Sequence, residues 1–157
     1  AVHWGARHPD CPAVVSFDGH RSPVTSTANY RGLAPERIAT LRAELAASFD
    51  AMVSLFPAQQ TMFEQVAEAM GADDVVPLLS RTATPTTMVV STLDLPGTED
   101  YREILAAFRA GLDDDLARAS RINPAVQVVP LPTTHAMHLE APQEMADLIR
   151  HAAPSDQ

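Results

Sequence analysis

One histidine, His135, occupies the most informative position for chemistry. The apolar run 125–131 predicts a buried strand, and residues 132–135 follow it as a short loop that presents the imidazole. Open α/β sheets place their ligand crevice beyond the carboxyl ends of their strands. Because imidazole is the usual general base near neutral pH, His135 is a candidate base at that edge.

A carboxylate, Asp94, follows another predicted strand and could orient this base. The run 86–92 is rich in β-branched residues, which favours a buried strand. Neighbouring parallel strands end at the same edge of a sheet and lie only about 4.8 Å apart. We therefore expect a hydrogen bond between the Asp94 carboxylate and the His135 imidazole.

The elements that would position these residues alternate along the chain. Strands are predicted at 13–18, 86–92 and 125–131, and helices at 1–9, from 35, at 57–71, 98–120 and 142–152. Such alternation is typical of a parallel sheet with helices on both faces. Three strands leave two edges and little area to cover, so we expect further strands from outside this sequence.

Composition restricts the possible partners. Twenty acidic residues stand against eleven basic ones, all of them Arg, and the net charge is -9. Such a chain is a poor partner for nucleic acid or for an anionic membrane surface. No apolar stretch has the eighteen or so residues of a membrane span, and we predict a cytoplasmic protein. The single Cys11 excludes an internal disulfide framework and a Cys-based zinc site.

Metal ligation is the competing interpretation of the His135 region. His138 and Glu140 follow His135 closely and could join it as ligands. Pro142 and the preceding strand favour a helix-start role for Glu140 instead. The other histidines are scattered and form no i, i+4 pair beside a carboxylate: His3, His8, His20 and His151. We predict no metal and no cofactor.

Three stretches of the sequence resemble the α/β-hydrolase family. Residues 128–149, VVPLPTTHAMHLEAPQEMADLI, are similar to its last strand, catalytic His and final helix. The family pattern of His followed by Leu-Glu-x-Pro falls on His135, Leu139, Glu140 and Pro142. Residues 85–94 resemble the strand that ends on the catalytic acid, although Ser91 stands where the family usually has Gly. Residues 4–18 are similar to the helix and strand that follow the nucleophile.

The resemblance implies a partial α/β-hydrolase-like parallel sheet of three strands with a helical cap insert. Residues 1–19 and 85–153 would form the C-terminal part of the core, and 20–84 the cap. His135 and Asp94 would supply the base and acid of a triad. Asp18 is the alternative acid, because some members of the family place the acid after that strand.

The family's nucleophile motif, Gly-x-Ser-x-Gly, does not occur in this sequence. We therefore expect the nucleophile and the N-terminal half of the fold upstream, on the same or a separate chain. The implied function is hydrolysis of a small apolar ester, thioester or amide. An Asp nucleophile would instead indicate epoxide or haloalkane hydrolysis. The alternative is a non-catalytic binding or interaction module, or a fragment without activity of its own.

Overall fold

A computed structural model of the chain describes residues 1–152, with the exception of the Met52 side chain. Residues 153–157, which include the last residue of the predicted core, lie outside this range. The strands are β1 (Val14–Phe17), β2 (Thr86–Ser91) and β3 (Val126–Leu131). The helices are α1 (Val2–Arg7), α2 (Pro35–Ser54), α3 (Gln60–Ala72), α4 (Val76–Leu79), α5 (Arg102–Ile122), α6 (Met137–Glu140) and α7 (Pro142–Ala152). Short 3₁₀ turns at Pro57–Gln59 and Glu99–Tyr101 precede α3 and α5.

The predicted three-stranded parallel α/β sheet is confirmed. Among the residues described, the strand order is β1-β2-β3, with Val14 opposite Thr86 and Val89 opposite Val129. The central position of β2 explains its composition, because its side chains are covered from both faces and Met88 and Val89 are fully buried. Pro130 lies on the edge strand β3, where a missing N–H is tolerated.

The long helix α5 follows from its apolar spacing. Ile104, Phe108, Leu112 and Leu116 recur every four residues and are all buried. Asp115 of the same helix is also buried, 5% exposed, and pairs with Arg118 at 2.6 Å. The four-residue helices α4 and α6 were not predicted, because so short a segment shows no helical periodicity.

The chain divides into two compact units. The sheet unit contains Ala1–His20, Val75–Gly97 and the chain from Asp115 on, and the helical unit contains Arg21–Asp74 and Thr98–Asp114. In this division, Thr98–Asp114 of the predicted core fall in the helical unit, and residues 75–84 of the predicted insert fall in the sheet unit. The Asn123 side-chain amide shows why, since it donates to the backbone carbonyls of Leu79 and Thr82 at 2.7 and 2.8 Å.

The ends of the first segment of the helical unit are joined by a buried ion pair. Arg21 Nε lies 3.0 Å from Asp74 Oδ1, with side chains 5% and 8% exposed. The second carboxylate oxygen of Asp74 accepts a hydrogen bond from the Thr27 hydroxyl at 2.5 Å. The Arg21 guanidinium also donates to the Thr27 carbonyl at 3.1 Å. A charge buried in this way depends on its partner for solvation.

Arg21→Met should therefore lower the free energy of unfolding by about 3–5 kcal/mol, because it leaves the Asp74 carboxylate buried without its cation. Urea denaturation measures the change. Arg37→Met is the matched control within the same unit, since Arg37 and Glu103 form an ion pair with side chains 48% and 45% exposed. That variant should change stability little. Equal losses of unfolding free energy for the two variants would contradict a special contribution of the buried Arg21–Asp74 pair.

Candidate active site

The candidate site is centred on the Asp18 carboxylate at the carboxyl edge of the sheet. One oxygen, Oδ2, lies 3.0 Å from Nδ1 of His135. The other, Oδ1, accepts the backbone N–H of Ser91 at 2.7 Å and lies 3.5 Å from Nε2 of His20. The Asp18 side chain is 3% exposed, whereas His135 is 69% exposed. A buried acid thus orients an exposed base.

Local backbone conformation aims the Asp18 side chain. Asp18 directly follows β1, and its N–H still donates to the Val89 carbonyl at 2.9 Å. Its φ of 49° lies in the left-handed region, which Asp and Asn tolerate better than most residues. Gly19 follows, and a Cβ there would meet the buried Ser16 hydroxyl at 2.4 Å. The chain therefore turns sharply at the end of the strand, with the carboxylate directed across the sheet edge.

The His135 loop is held by a second carboxylate, Glu140 of α6. Its two oxygens accept the backbone N–H of Thr134 at 2.7 Å and the Thr134 hydroxyl at 2.5 Å. These hydrogen bonds lower the pKa of Glu140. The Thr134 hydroxyl also accepts the N–H of Ala136 at 3.2 Å, so the loop is fixed on both sides of His135. Glu140 thus closes the loop onto the helix that follows it.

The imidazole of His135 forms its hydrogen bond to Asp18 and not, as the sequence predicted, to Asp94. Asp94 is exposed and lies three residues beyond the end of β2. The chain after β2 continues along the extension of β3, since the N–H of Leu93 donates to the Thr133 carbonyl at 3.0 Å. Within residues 1–152, the His135 imidazole has its hydrogen bond with Asp18 and not with Asp94. Asp18, at the strand end itself, reaches the imidazole.

The electrostatics of the site keep Asp18 ionised. Burial acts to raise the pKa of its carboxyl, but hydrogen bonds from His20, Ser91 and His135 act in the opposite direction and prevail. The pKa of Asp18 is lowered from 3.8 to about 2. The carboxylate is thus negative throughout the neutral range.

This arrangement suits general acid–base chemistry. A carboxylate on Nδ1 selects the tautomer that carries its proton there and leaves Nε2 free to accept another. Within residues 1–152, the His135 ring has Asp18 as its single hydrogen-bond partner. The Asp18–His135 pair therefore presents a base whose second nitrogen faces away from its acid.

Sequence reasoning missed two polar residues of this site. His20 belongs to the scattered histidines of the sequence, although its position two residues after Asp18 is a usable signal. Thr133 belongs to the predicted loop at 132–135. It is 4% exposed, and its hydroxyl has no hydrogen-bond partner within the part of the chain that the structure describes. No sequence pattern distinguishes that hydroxyl from a satisfied one.

Between residues 1 and 152, no group of three or more His, Cys, Asp or Glu side chains is arranged to hold a metal ion. No helix over the same residues combines the length and the apolar character that crossing a bilayer needs.

Comparison with known proteins gives no family for the chain. No protein-family model matches it, and no curated protein matches it. The geometry of the Asp18–His135 pair is therefore the basis on which a function can be proposed.

The lowered pKa of Asp18 predicts a pH dependence of stability. Because this pKa is lower in the folded chain than in the unfolded one, ionised Asp18 stabilises the fold above about pH 4, and the contribution is lost as the pH falls towards 2. The difference between 3.8 and about 2 corresponds to about 2 kcal/mol. Asp18→Asn keeps the backbone preference and removes the charge. Denaturation of both proteins from pH 7 to pH 2 should show their stability difference shrinking below pH 4, and a constant difference would contradict the shift.

The buried Thr133 hydroxyl predicts an unusual substitution result. Thr133→Val keeps the shape and removes an unpaired polar atom, so stability should stay the same or rise by about 1 kcal/mol. Thr84 is the matched control, because it is 1% exposed and its hydroxyl donates to the Gly5 carbonyl at 3.0 Å. Thr84→Val should lose about 1–2 kcal/mol in the same urea titration. A similar loss for Thr133→Val would indicate that its hydroxyl has a partner.

Proposed function

We propose that this chain carries the acid and base of a serine-type hydrolase of the α/β-hydrolase fold. The observation that carries the proposal is the 3.0 Å hydrogen bond from the exposed His135 imidazole to the buried Asp18 carboxylate. It lies where parallel sheets place their active sites, beyond the carboxyl ends of the strands. The acid of the proposal is Asp18, in place of the Asp94 expected from the sequence.

In the proposed reaction, His135 first accepts a proton and then donates it. Its Nε2 accepts the proton of a nucleophilic hydroxyl as that oxygen forms a bond to the substrate carbonyl carbon. The same nitrogen then donates the proton to the leaving group as the bond to that group breaks. Asp18 stays ionised on Nδ1 and stabilises the imidazolium formed between these steps. In the second half, His135 Nε2 accepts a proton from water as the water oxygen bonds to the acyl carbon. It then returns a proton to the nucleophile oxygen as the bond between that oxygen and the acyl carbon breaks, which releases the acid product.

The proposal places the nucleophile on a segment outside this sequence, the N-terminal half of the same fold. No Ser, Thr or Cys side chain hydrogen-bonds to His135 within the described residues. The N–H groups of Val14 and Asp18 point towards β2, where they donate to Pro85 and Val89. Val15 and Phe17, between them, direct their backbone groups to the opposite edge of β1, where no described strand pairs. A parallel strand there would end beside Asp18.

Exposed apolar side chains support a small apolar substrate. Leu93 is 51% exposed, and its N–H is bonded to Thr133 in the His loop. Leu139, four residues after His135, is 75% exposed. Such a surface suits an apolar acyl group on an ester, thioester or amide. The cytoplasmic location and the absence of nucleic-acid or membrane partners remain part of this proposal.

The first test is on the native protein isolated from its source. Its intact mass should reveal a longer chain or a tightly bound partner, and a fluorophosphonate probe should label one serine in that added segment. The preparation should also hydrolyse p-nitrophenyl butyrate. Absence of both labelling and hydrolysis would overturn the proposal and favour a non-catalytic binding module.

The second test uses variants of that complete protein. Asp18→Asn and His135→Asn should each lower kcat for the ester by about 10²–10⁴, because the first removes the orienting charge and the second removes the base. Asp94→Asn is the matched control and should keep nearly full activity. Loss of activity on changing Asp94 but not Asp18 would identify Asp94, after β2, as the acid. Full activity in all three variants would exclude this use of the pair.

A further inference from the structure

We propose that His20 is a positioning residue for the Asp18–His135 pair. Its imidazole holds the Oδ1 atom of Asp18, so that Oδ2 is kept facing Nδ1 of His135. The catalytic meaning of this role rests on the proposed function. The contact itself lies within this chain and is tested without a nucleophile.

The first observation is that the two oxygens of the Asp18 carboxylate have different partners. Oδ1 accepts the Ser91 N–H at 2.7 Å and lies 3.5 Å from His20 Nε2, whereas Oδ2 faces His135 alone at 3.0 Å. The χ2 torsion of an Asp side chain has a broad distribution, so a single hydrogen bond to Oδ1 still allows the carboxylate to rotate. A second donor, from a different segment of the chain, restricts that rotation. The plane of the carboxylate is then set before substrate binds.

The second observation is the difference in exposure between the two imidazoles. The His20 side chain is 12% exposed and that of His135 is 69% exposed. Only the second of these can meet a substrate in solution. His20 therefore acts through Asp18, as a fixed partner, and is not a second base.

The third observation is the backbone that brings His20 to the carboxylate. Asp18 has a φ of 49°, and the close approach of Gly19 to Ser16 leaves no room for a side chain there unless the hydroxyl moves. Conformations of this kind cost free energy and persist where the surrounding structure fixes them. Here they bring the His20 imidazole, two residues along the chain, to the Oδ1 atom of Asp18 that also accepts the Ser91 N–H. The electrostatics agree, because the His20 hydrogen bond is first among those that lower the pKa of Asp18 against the effect of burial.

The experiment is side-chain NMR of the 157-residue chain and three variants. In the unaltered chain, ¹⁵N shifts of the His20 ring at neutral pH should place a proton on Nε2, the atom that faces Asp18. The ¹³C titration of the Asp18 carboxyl should give a pKa of about 2. His20→Leu should raise that pKa towards 3.8 and change the ¹⁵N shift of His135 Nδ1, because its carboxylate partner is no longer held in place. His20→Gln restores a side-chain N–H donor and should recover both readouts.

His151→Leu is the matched control, because His151 is an exposed histidine on α7. It should leave both readouts as in the unaltered chain. Unchanged Asp18 and His135 signals in a folded His20→Leu protein would overturn the proposal. If that variant does not fold, a His20 ring protonated only on Nδ1 in the unaltered chain would overturn it equally. If the Asp18 and His135 signals change as expected but the native protein has no hydrolase activity, the proposed function is wrong and the positioning role of His20 stands.

Discussion

The ionised Asp18 carboxylate is the interaction on which the site depends. It joins residues from three separate parts of the chain, since Ser91 ends β2, His135 follows β3 and His20 follows β1. A carboxylate that is 3% exposed would be expensive to keep charged without such donors. Each donor therefore stabilises the fold and aims the group at the same time. The strand order β1-β2-β3 brings these donors together at this one side chain.

The second constraint is the asymmetry between acid and base. Asp18 is enclosed and fixed, whereas His135 stands in solvent on a loop that Glu140 ties to the following helix. A base that exchanges protons with a substrate needs access, and the acid that orients it needs a rigid and dry environment. The sheet unit supplies both conditions within a few ångströms. Its chemistry would require a nucleophile opposite His135 Nε2.

The two edges of the sheet differ in a way that bears on that requirement. Pro130 on β3 removes a backbone donor, a feature that discourages pairing at an edge. The opposite strand, β1, is VVSF and has no charge, proline or bulge to prevent pairing. Its outer side is thus suited to another strand. In contrast, the helical unit is held by its own buried pair, Arg21 and Asp74.

The sequence alone determined the element pattern and the position of His135 beyond the last strand. β-Branched runs predicted three strands to within a residue or two, and apolar spacing predicted the long helices, because burial imposes periods of two and 3.6 residues on any chain that folds in this way. His135 was placed correctly because a polar loop must follow a buried strand. The resemblance to hydrolases named both carboxylates but ranked Asp94 first.

Only the tertiary structure decided which carboxylate meets the imidazole and what holds it there. That choice depends on the direction in which the chain leaves each strand. After β2 the backbone stays bonded to the extension of β3 through Leu93 and carries Asp94 onward, whereas a left-handed residue directly after β1 turns Asp18 across the sheet edge. One backbone torsion thus separates the two outcomes. Residue type and spacing do not specify such a torsion, because it is stabilised by hydrogen bonds from residues distant in the sequence.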